Sequence, residues 1–313
     1  MKLIVRQIVA HGEAVRELRL QRADGAALPA WSAGAHIKLA LPLAAQGPVE
    51  RRYSLVGAPG DTSTYRIAVL REPLGKGSAW LHENVSEGDA IEVDGPYTSF
   101  SPRAGAGRAL LIAGGIGVTP LVSIAHALAS QGVPCRCHYL VSERARAVLL
   151  AELETIGAVD VNLHVSGEQG GRADLGAILG PYSAGDVVYA CGPAPMLAAL
   201  RASAAALGWP AASVVIESFG ARSNAQDEAL TVHLAQSELT LSVAPGTTIL
   251  DALIAADVFV AWDCKRGECG NCFTQVSEGI PIHRDVCLTP VQQQVGMCTC
   301  VSWAGGGRLV LDL

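Results

Sequence analysis

The chain has 313 residues, half of them hydrophobic, and a formal charge of −6 at pH 7. That length suggests two or three domains, each able to bury its own core. An acidic balance without runs of Lys and Arg excludes a nucleic-acid backbone as partner. Nine cysteines in a chain this long do not make a disulfide-dense secreted module. The opening segment breaks its apolar run at Arg6 and lacks the longer apolar region of a signal peptide, and no apolar stretch reaches transmembrane length. A soluble, reducing, cytoplasmic setting is expected. The eight histidines show no i, i+4 pair, which leaves hydrolytic metal chemistry without an obvious seat.

Residues 1–102 read as short strands, among them Leu3–Val9, His36–Leu41, Tyr65–Leu70 and Ala90–Val93, separated by Gly, Pro and Asp turns in the manner of a small antiparallel barrel. Arg51-Arg52-Tyr53-Ser54 puts a cation, an aromatic ring and a hydroxyl on one strand. Period-2 alternation would turn Arg51 and Tyr53 to one face and Ser54 to the other, and an ordinary edge strand accounts for the same pattern. Gly75-Lys76-Gly77-Ser78 opens the one helix of this segment, Ser78–Val85. Its free amides, with Ser78 as candidate cap, make a plausible phosphate seat.

From residue 103 to 221 the rhythm changes. Apolar strands at Leu110–Ala113, Cys137–Val141, Asn162–Val165 and Val187–Ala190 alternate with Ala- and Leu-rich helical stretches, which implies a parallel sheet covered by helices. The first strand runs into Gly114-Gly115-Ile116-Gly117-Val118-Thr119-Pro120, where glycines permit close backbone approach and a helix N-terminus supplies free N–H groups. Pro120 suits a first helical turn. A purely structural turn would look the same. Cys191-Gly192-Pro193 then places a thiol and a tight turn at the carboxyl edge of the sheet, where ligands bind in open α/β folds. In Ser142-Glu143-Arg144-Ala145-Arg146, Glu143 would suit a ribose 2′-hydroxyl, whereas Arg144 or Arg146 would suit a 2′-phosphate.

The polar residues 222–229 read as a linker. Beyond it, in 230–313, strands Thr231–Leu234 and Thr240–Val243 precede a short helix, Thr248–Ala255, and Gly305-Gly306-Gly307 looks like a turn between two strands. Between these lies Cys264-x4-Cys269-x2-Cys272, the spacing of a plant-type 2Fe-2S centre. Gly267 and Gly270 suit a loop that must adopt positive φ and bring amides close to sulfur. A zinc site would instead favour two C-x2-C pairs or a nearby His. Spacing alone leaves Cys287, Cys298 and Cys300 open as the fourth ligand, and Cys298 and Cys300 would face the same side of a strand.

Taken in order, Arg51-x-Tyr53-Ser54, the glycine turn at 114–120, Cys191-Gly192-Pro193 and the cysteine loop closely resemble the phthalate dioxygenase reductase family over essentially the whole chain. The resemblance implies three domains: an antiparallel β-barrel flavin domain (1–102), an α/β nucleotide-binding domain (103–221) and a β-grasp plant-type ferredoxin domain (230–313). It implies that Arg51, Tyr53 and Ser54 hold FMN, with Ser54 near the flavin N5, that Ala68, Val69 and Leu70 line its ring, and that the Gly75–Ser78 turn takes its phosphate. Gly114, Gly115, Gly117 and Thr119 would receive the NADH pyrophosphate, Cys191 with Gly192 and Pro193 would lie near the nicotinamide, and Phe219 would cover the flavin ring. Matching Met297-Cys298-Thr299-Cys300-Val301-Ser302 to the family's tail makes Cys300 the fourth ligand after Cys264, Cys269 and Cys272. The implied activity is an NADH-dependent reductase that passes electrons through FMN and a 2Fe-2S cluster to a Rieske-type oxygenase component. The alternative is an FAD-dependent reductase serving another acceptor. A plant-type cluster at about −400 mV is a poor acceptor from nicotinamide, so loop amides are expected to raise its potential.

Overall fold

A computed structural model describes residues 1–44, 47–73, 76–220 and 226–313. The chain divides into two compact units: Met1–Gly192 with Ala199–Glu217, and Pro193–Ala198 with Ser218–Leu313. The expected linker falls partly, and Gly75 wholly, outside the described residues.

The first unit contains two sheets. Strands β1 (Lys2–His11), β2 (Val15–Gln21), β3 (Ala35–Ala44), β4 (Gly47–Ser54), β5 (Tyr65–Leu70) and β6 (Ala90–Thr98) form an antiparallel sheet in the order β4-β3-β6-β1-β2-β5. Alternating apolar side chains such as Leu18, Leu20, Ile37 and Leu39 fill its interior. This leaves β4 and β5 as edges, drawn together where Val56 donates its amide to the Arg66 carbonyl at 2.9 Å. Helix α1 (Lys76–Asn84) is fastened to β5 by His82, whose Nε2 lies 2.9 Å from the Val69 carbonyl oxygen.

The second sheet is wholly parallel: β7 (Arg108–Gly114), β8 (Cys135–Val141), β9 (Val159–Val165), β10 (Asp186–Cys191) and β11 (Val214–Glu217), ordered β11-β10-β7-β8-β9. Helices α2 (Val118–Ser130), α3 (Leu150–Thr155), α4 (Ser166–Gln169), α5 (Leu175–Leu179) and α6 (Ala194–Ala206) supply the crossovers. Every residue of β10 is buried, as a strand covered on both faces requires.

The two sheets belong to one unit because they share a core. Val15, Ala33, Val56, Ala68 and Phe100 pack in the same cluster as Leu111, Leu121 and Tyr189, and the Gly34 amide donates to Ser123 Oγ on α2 at 2.9 Å. An ionic tie adds to this. Glu17 is almost fully buried, accepts from Arg19 at 2.9 Å and from Arg66 Nε at 2.8 Å, and Arg66 also grips Glu152 on α3 at 2.7 Å. Burial alone would raise the Glu17 carboxyl, but its bonds from Arg66, Arg19 and His11 hold it down at about 2. A depressed carboxyl stabilises the fold above its unfolded-state pKa and ceases to do so as pH falls through the folded value. Glu17→Gln should therefore cost about 3 kcal/mol in urea unfolding at pH 7. The gap between variant and parent should close between about pH 5 and pH 2.

The second unit carries β12 (Leu230–Leu234), β13 (Thr240–Val243), α7 (Ile249–Ala255), β14 (Phe273–Ile282), α8 (Pro290–Gln293), β15 (Gly296–Cys298) and β16 (Trp303–Leu311), with sheet order β13-β12-β16-β14-β15. β12 and β16 run parallel and the other pairs antiparallel, the mixed sheet of a β-grasp domain. Thr248 caps α7, its hydroxyl accepting the Asp251 amide at 2.9 Å. Gly305–Gly307 is not a turn between strands. Those residues lie inside β16, where Gly306 and Gly307 take φ of +77° and +70° and the register against β14 shifts twice, so the glycines serve bulged strand pairing rather than reversal.

Candidate functional site

In the first unit the residues expected to hold a flavin converge on the seam between the two edge strands. Arg51, Tyr53 and Ser54 close β4, and Ala68, Val69 and Leu70 close β5. Ser54 and Val69 are buried and Tyr53 is half-buried. Burial pushes the Tyr53 phenol well above its ordinary range, the nearby Arg51 opposing it only in part, so the ring enters any complex as a neutral donor. The Arg51 side chain lies over Gly77 in the first turn of α1, its Cγ and Nε each 2.9 Å from where a Cβ on Gly77 would stand. A guanidinium against a helix N-terminus is an anion seat. Ser78 is not the cap: the helix starts at Lys76, and the Ser78 hydroxyl, inside the first turn, accepts the Glu72 amide at 3.0 Å.

The glycine turn joins β7 to α2. Gly115–Gly117 form one turn of 3-10 helix, and Thr119 donates its hydroxyl to the Ile116 carbonyl at 3.0 Å. A neighbour alone requires glycine at 117: a Cβ there would stand 2.2 Å from the Cys191 carbonyl oxygen and 2.8 Å from the Gly192 amide nitrogen. The turn is thereby pressed against the carboxyl end of β10. Gly114 ends β7, and Gly115, at φ +54°, has open space before it. The Cys191 side chain is fully buried, and Gly192 and the exposed Pro193 follow it.

In the second unit Cys264, Cys272 and Cys300 are buried and Cys269 is exposed. Lys265, Gly267 and Gly270 all take positive φ. Gly267 could carry no side chain, since a Cβ would lie 2.7 Å from Val301 Cγ2 and 2.9 Å from Asp285 Cα. This folding back turns amides onto sulfur. The Arg266 N–H donates to Cys264 Sγ at 3.3 Å. The amides of Cys264 and Asn271 are directed at Cys269, that of Gly267 at Cys300, and that of Cys300 at Cys272. Such donors favour negative charge on the thiolates and would raise the potential of a bound cluster. The shared-strand argument for Cys298 and Cys300 does not apply, because β15 ends at Cys298 and Cys300 sits in the turn beyond it.

The loop is braced by charges that its cysteine spacing did not disclose. Arg266, itself buried, pairs with Glu268 at 2.8 Å, and the Glu268 carboxylate accepts the Ser218 amide. Lys265 joins Asp251 at 2.9 Å and lies 4.3 Å above the Trp262 ring. Ser218–Gly220 thus rests on the cluster loop, with Gly220 closing a turn onto Ser218 Oγ at 3.1 Å and Phe219 left 40% exposed. Cys287, which spacing alone leaves open as the fourth ligand, stands in no motif with the other cysteines. It approaches Cys298 only through the fold, Sγ to Sγ 3.6 Å.

Comparison with known proteins agrees with this arrangement. Residues 232–304 match the 2Fe-2S iron-sulfur cluster binding domain family. The chain is 42% identical to the phenoxybenzoate dioxygenase subunit beta of Ectopseudomonas oleovorans, over 95% of this chain and 92% of that one. It belongs to the phthalate dioxygenase reductase family. The solved phthalate dioxygenase reductase, described as a modular structure for electron transfer from pyridine nucleotides to 2Fe-2S, superimposes with a TM-score of 0.76 at 31% identity, covering 100% of this chain and 98% of that one. The vanillate O-demethylase oxidoreductase of a Pseudomonas species is 33% identical over 100% of this chain and 98% of its own. The protein is an oxidoreductase of the electron-transferring reductase-subunit type. No helix among the described residues is long and apolar enough to cross a membrane.

Proposed function

We propose that the chain is the NADH-dependent reductase component of a two-component Rieske-type oxygenase or demethylase and works in the cytoplasm. FMN would occupy the barrel of residues 1–102, NADH the domain of residues 103–221, and a 2Fe-2S cluster the domain of residues 230–313 after a linker at 222–229. Four cysteines, each met by a backbone amide, carry this reading, because they fit a cluster that must accept electrons at a raised potential. The dioxygenase and O-demethylase names of the relatives support an oxygenase as acceptor.

When bound, FMN supplies the conversion of two-electron delivery from NADH into single electrons for the cluster. The residues have distinct tasks around it. Arg51 and the first turn of α1, with Gly77 and Ser78, offer one phosphate seat, which favours FMN over FAD. Tyr53 and Ser54 offer hydroxyls to the ring edge, and Ala68, Val69 and Leu70 form an apolar wall that excludes water. Gly114, Gly115, Gly117 and Thr119 would seat the pyrophosphate, and Cys191, Gly192 and Pro193 would border the nicotinamide. Phe219 would stack on the flavin until nicotinamide displaces it. Cys264, Cys269, Cys272 and Cys300 would hold the irons, with exposed Cys269 giving the cluster an outward edge for the partner.

The choice of NADH is supported by charge. Arg144 is already gripped by Glu168 at 2.6 Å, and Arg146 has Glu143 beside it at 4.0 Å, which leaves little net attraction for a 2′-phosphate. Chromatography of heat-released flavin should recover FMN. The kcat/KM for NADH should exceed that for NADPH by about tenfold, equivalent to ~1.4 kcal/mol. Stoichiometric FAD, or a preference for NADPH, would overturn the corresponding assignment.

A further inference from the structure

We propose that Cys287 and Cys298 form a thiol-reversible disulfide, driven by hydrogen peroxide, beside the iron-sulfur cluster. The inference rests on the ligand set Cys264, Cys269, Cys272 and Cys300, which leaves both thiols free. Their sulfurs lie 3.6 Å apart, and rotation about two side-chain bonds has to close only about 1.5 Å to reach disulfide length. Both backbones are already fixed. The Cys287 loop is pinned where Val286 donates to the Gly267 carbonyl at 2.8 Å and Leu288 to Asp285 Oδ2 at 3.1 Å, and Cys298 ends β15 in register with Phe273. Of the five cysteines outside the ligand set, Cys135, Cys137, Cys191 and Cys298 are buried, and Cys287 alone reaches solvent.

That asymmetry fits a two-step oxidation. The Cys287 thiolate attacks one peroxide oxygen, breaking the O–O bond and releasing hydroxide, and becomes a sulfenic acid. The Cys298 sulfur then attacks Cys287 Sγ, and the sulfenic oxygen leaves as water with the Cys298 proton. In sum two thiols and one peroxide give one disulfide and two waters. Proximity of Cys298 favours this closure over further oxidation of Cys287.

The bond would be felt by the cluster. Cys298 stands two residues before the ligand Cys300 and pairs with Phe273, the residue after the ligand Cys272, so drawing its sulfur onto Cys287 disturbs the seats of two ligand thiolates and slows electron entry into the cluster. Peroxide arises wherever reduced flavin meets dioxygen, so uncoupled turnover would slow its own electron supply.

The test uses the holoenzyme, given one equivalent of hydrogen peroxide, alkylated, digested and mapped by mass spectrometry. A cross-linked peptide joining Cys287 to Cys298, two hydrogens lighter than the pair, is expected with the cluster spectrum retained. Reduction of cytochrome c by NADH should fall severalfold while ferricyanide reduction holds, and dithiothreitol should restore the first. Cys287→Ser should abolish both the cross-link and the loss of rate. Sulfinic acid at Cys287 without a cross-link, or an equal loss of rate in Cys287→Ser, would overturn the proposal while leaving the ligand set intact. Iron per chain is measured first in Cys287→Ser and Cys298→Ser, and loss of iron in either would overturn the ligand set and the disulfide together.

Discussion

Cys300→Ser should empty the iron-sulfur site: iron per chain should fall from about two to near zero, and cytochrome c reduction by NADH should drop to background. The hydroxyl is a hard, weakly acidic replacement for a soft thiolate. It would also sit buried, with the Gly267 amide directed at it but no iron to hold. Flavin content and ferricyanide reduction should be unaffected, because Cys300 is not among the residues proposed to hold flavin or NADH. Cys298→Ser is the control with the greatest power, since Cys298 is equally buried, two residues away, and hydrogen-bonded to Cys272. It should keep its iron. Iron lost with Cys298→Ser and kept with Cys300→Ser would mean that the tail is held in the other register and that Cys298 is the ligand.

Much of this arrangement is legible in the sequence, and the exceptions have physical causes. The cysteine spacing marked the cluster loop because three ligands come from one turn, and the apolar β10 announced itself because a strand buried on both faces has no polar position to hide it. Pairings formed across the fold are different. Glu17, Arg66 and Glu152 lie far apart in the chain and look like solvated charges until β2, β5 and α3 bring them together. Cys287 and Cys298 meet for the same reason. Gly117 makes room for the Cys191 carbonyl, a contact that only the register of β10 beside β7 reveals. Ser78 was read as a cap because helix starts are uncertain by a residue or two, and the turn begins earlier, at Lys76.

A chain ending near residue 224 should fold and bind flavin, and should reduce ferricyanide with NADH at close to the parent rate. The reason lies in the cores. The two apolar clusters of the first unit draw their buried residues from Leu3 to Cys191, and that of the second draws its own from Leu230 to Leu311, so removing 225–313 takes no buried side chain from the first two. Two losses are expected. Cytochrome c reduction and support of a partner oxygenase should fall to background, because one-electron delivery requires the cluster that the missing residues hold. Phe219 should also become less restrained, since the Ser218 amide loses Glu268 and the Gly220 turn loses its packing on Arg266. If the truncated chain supported its oxygenase at an undiminished rate, the cluster would lie off the electron path, and Cys264, Cys269, Cys272 and Cys300 would need another purpose.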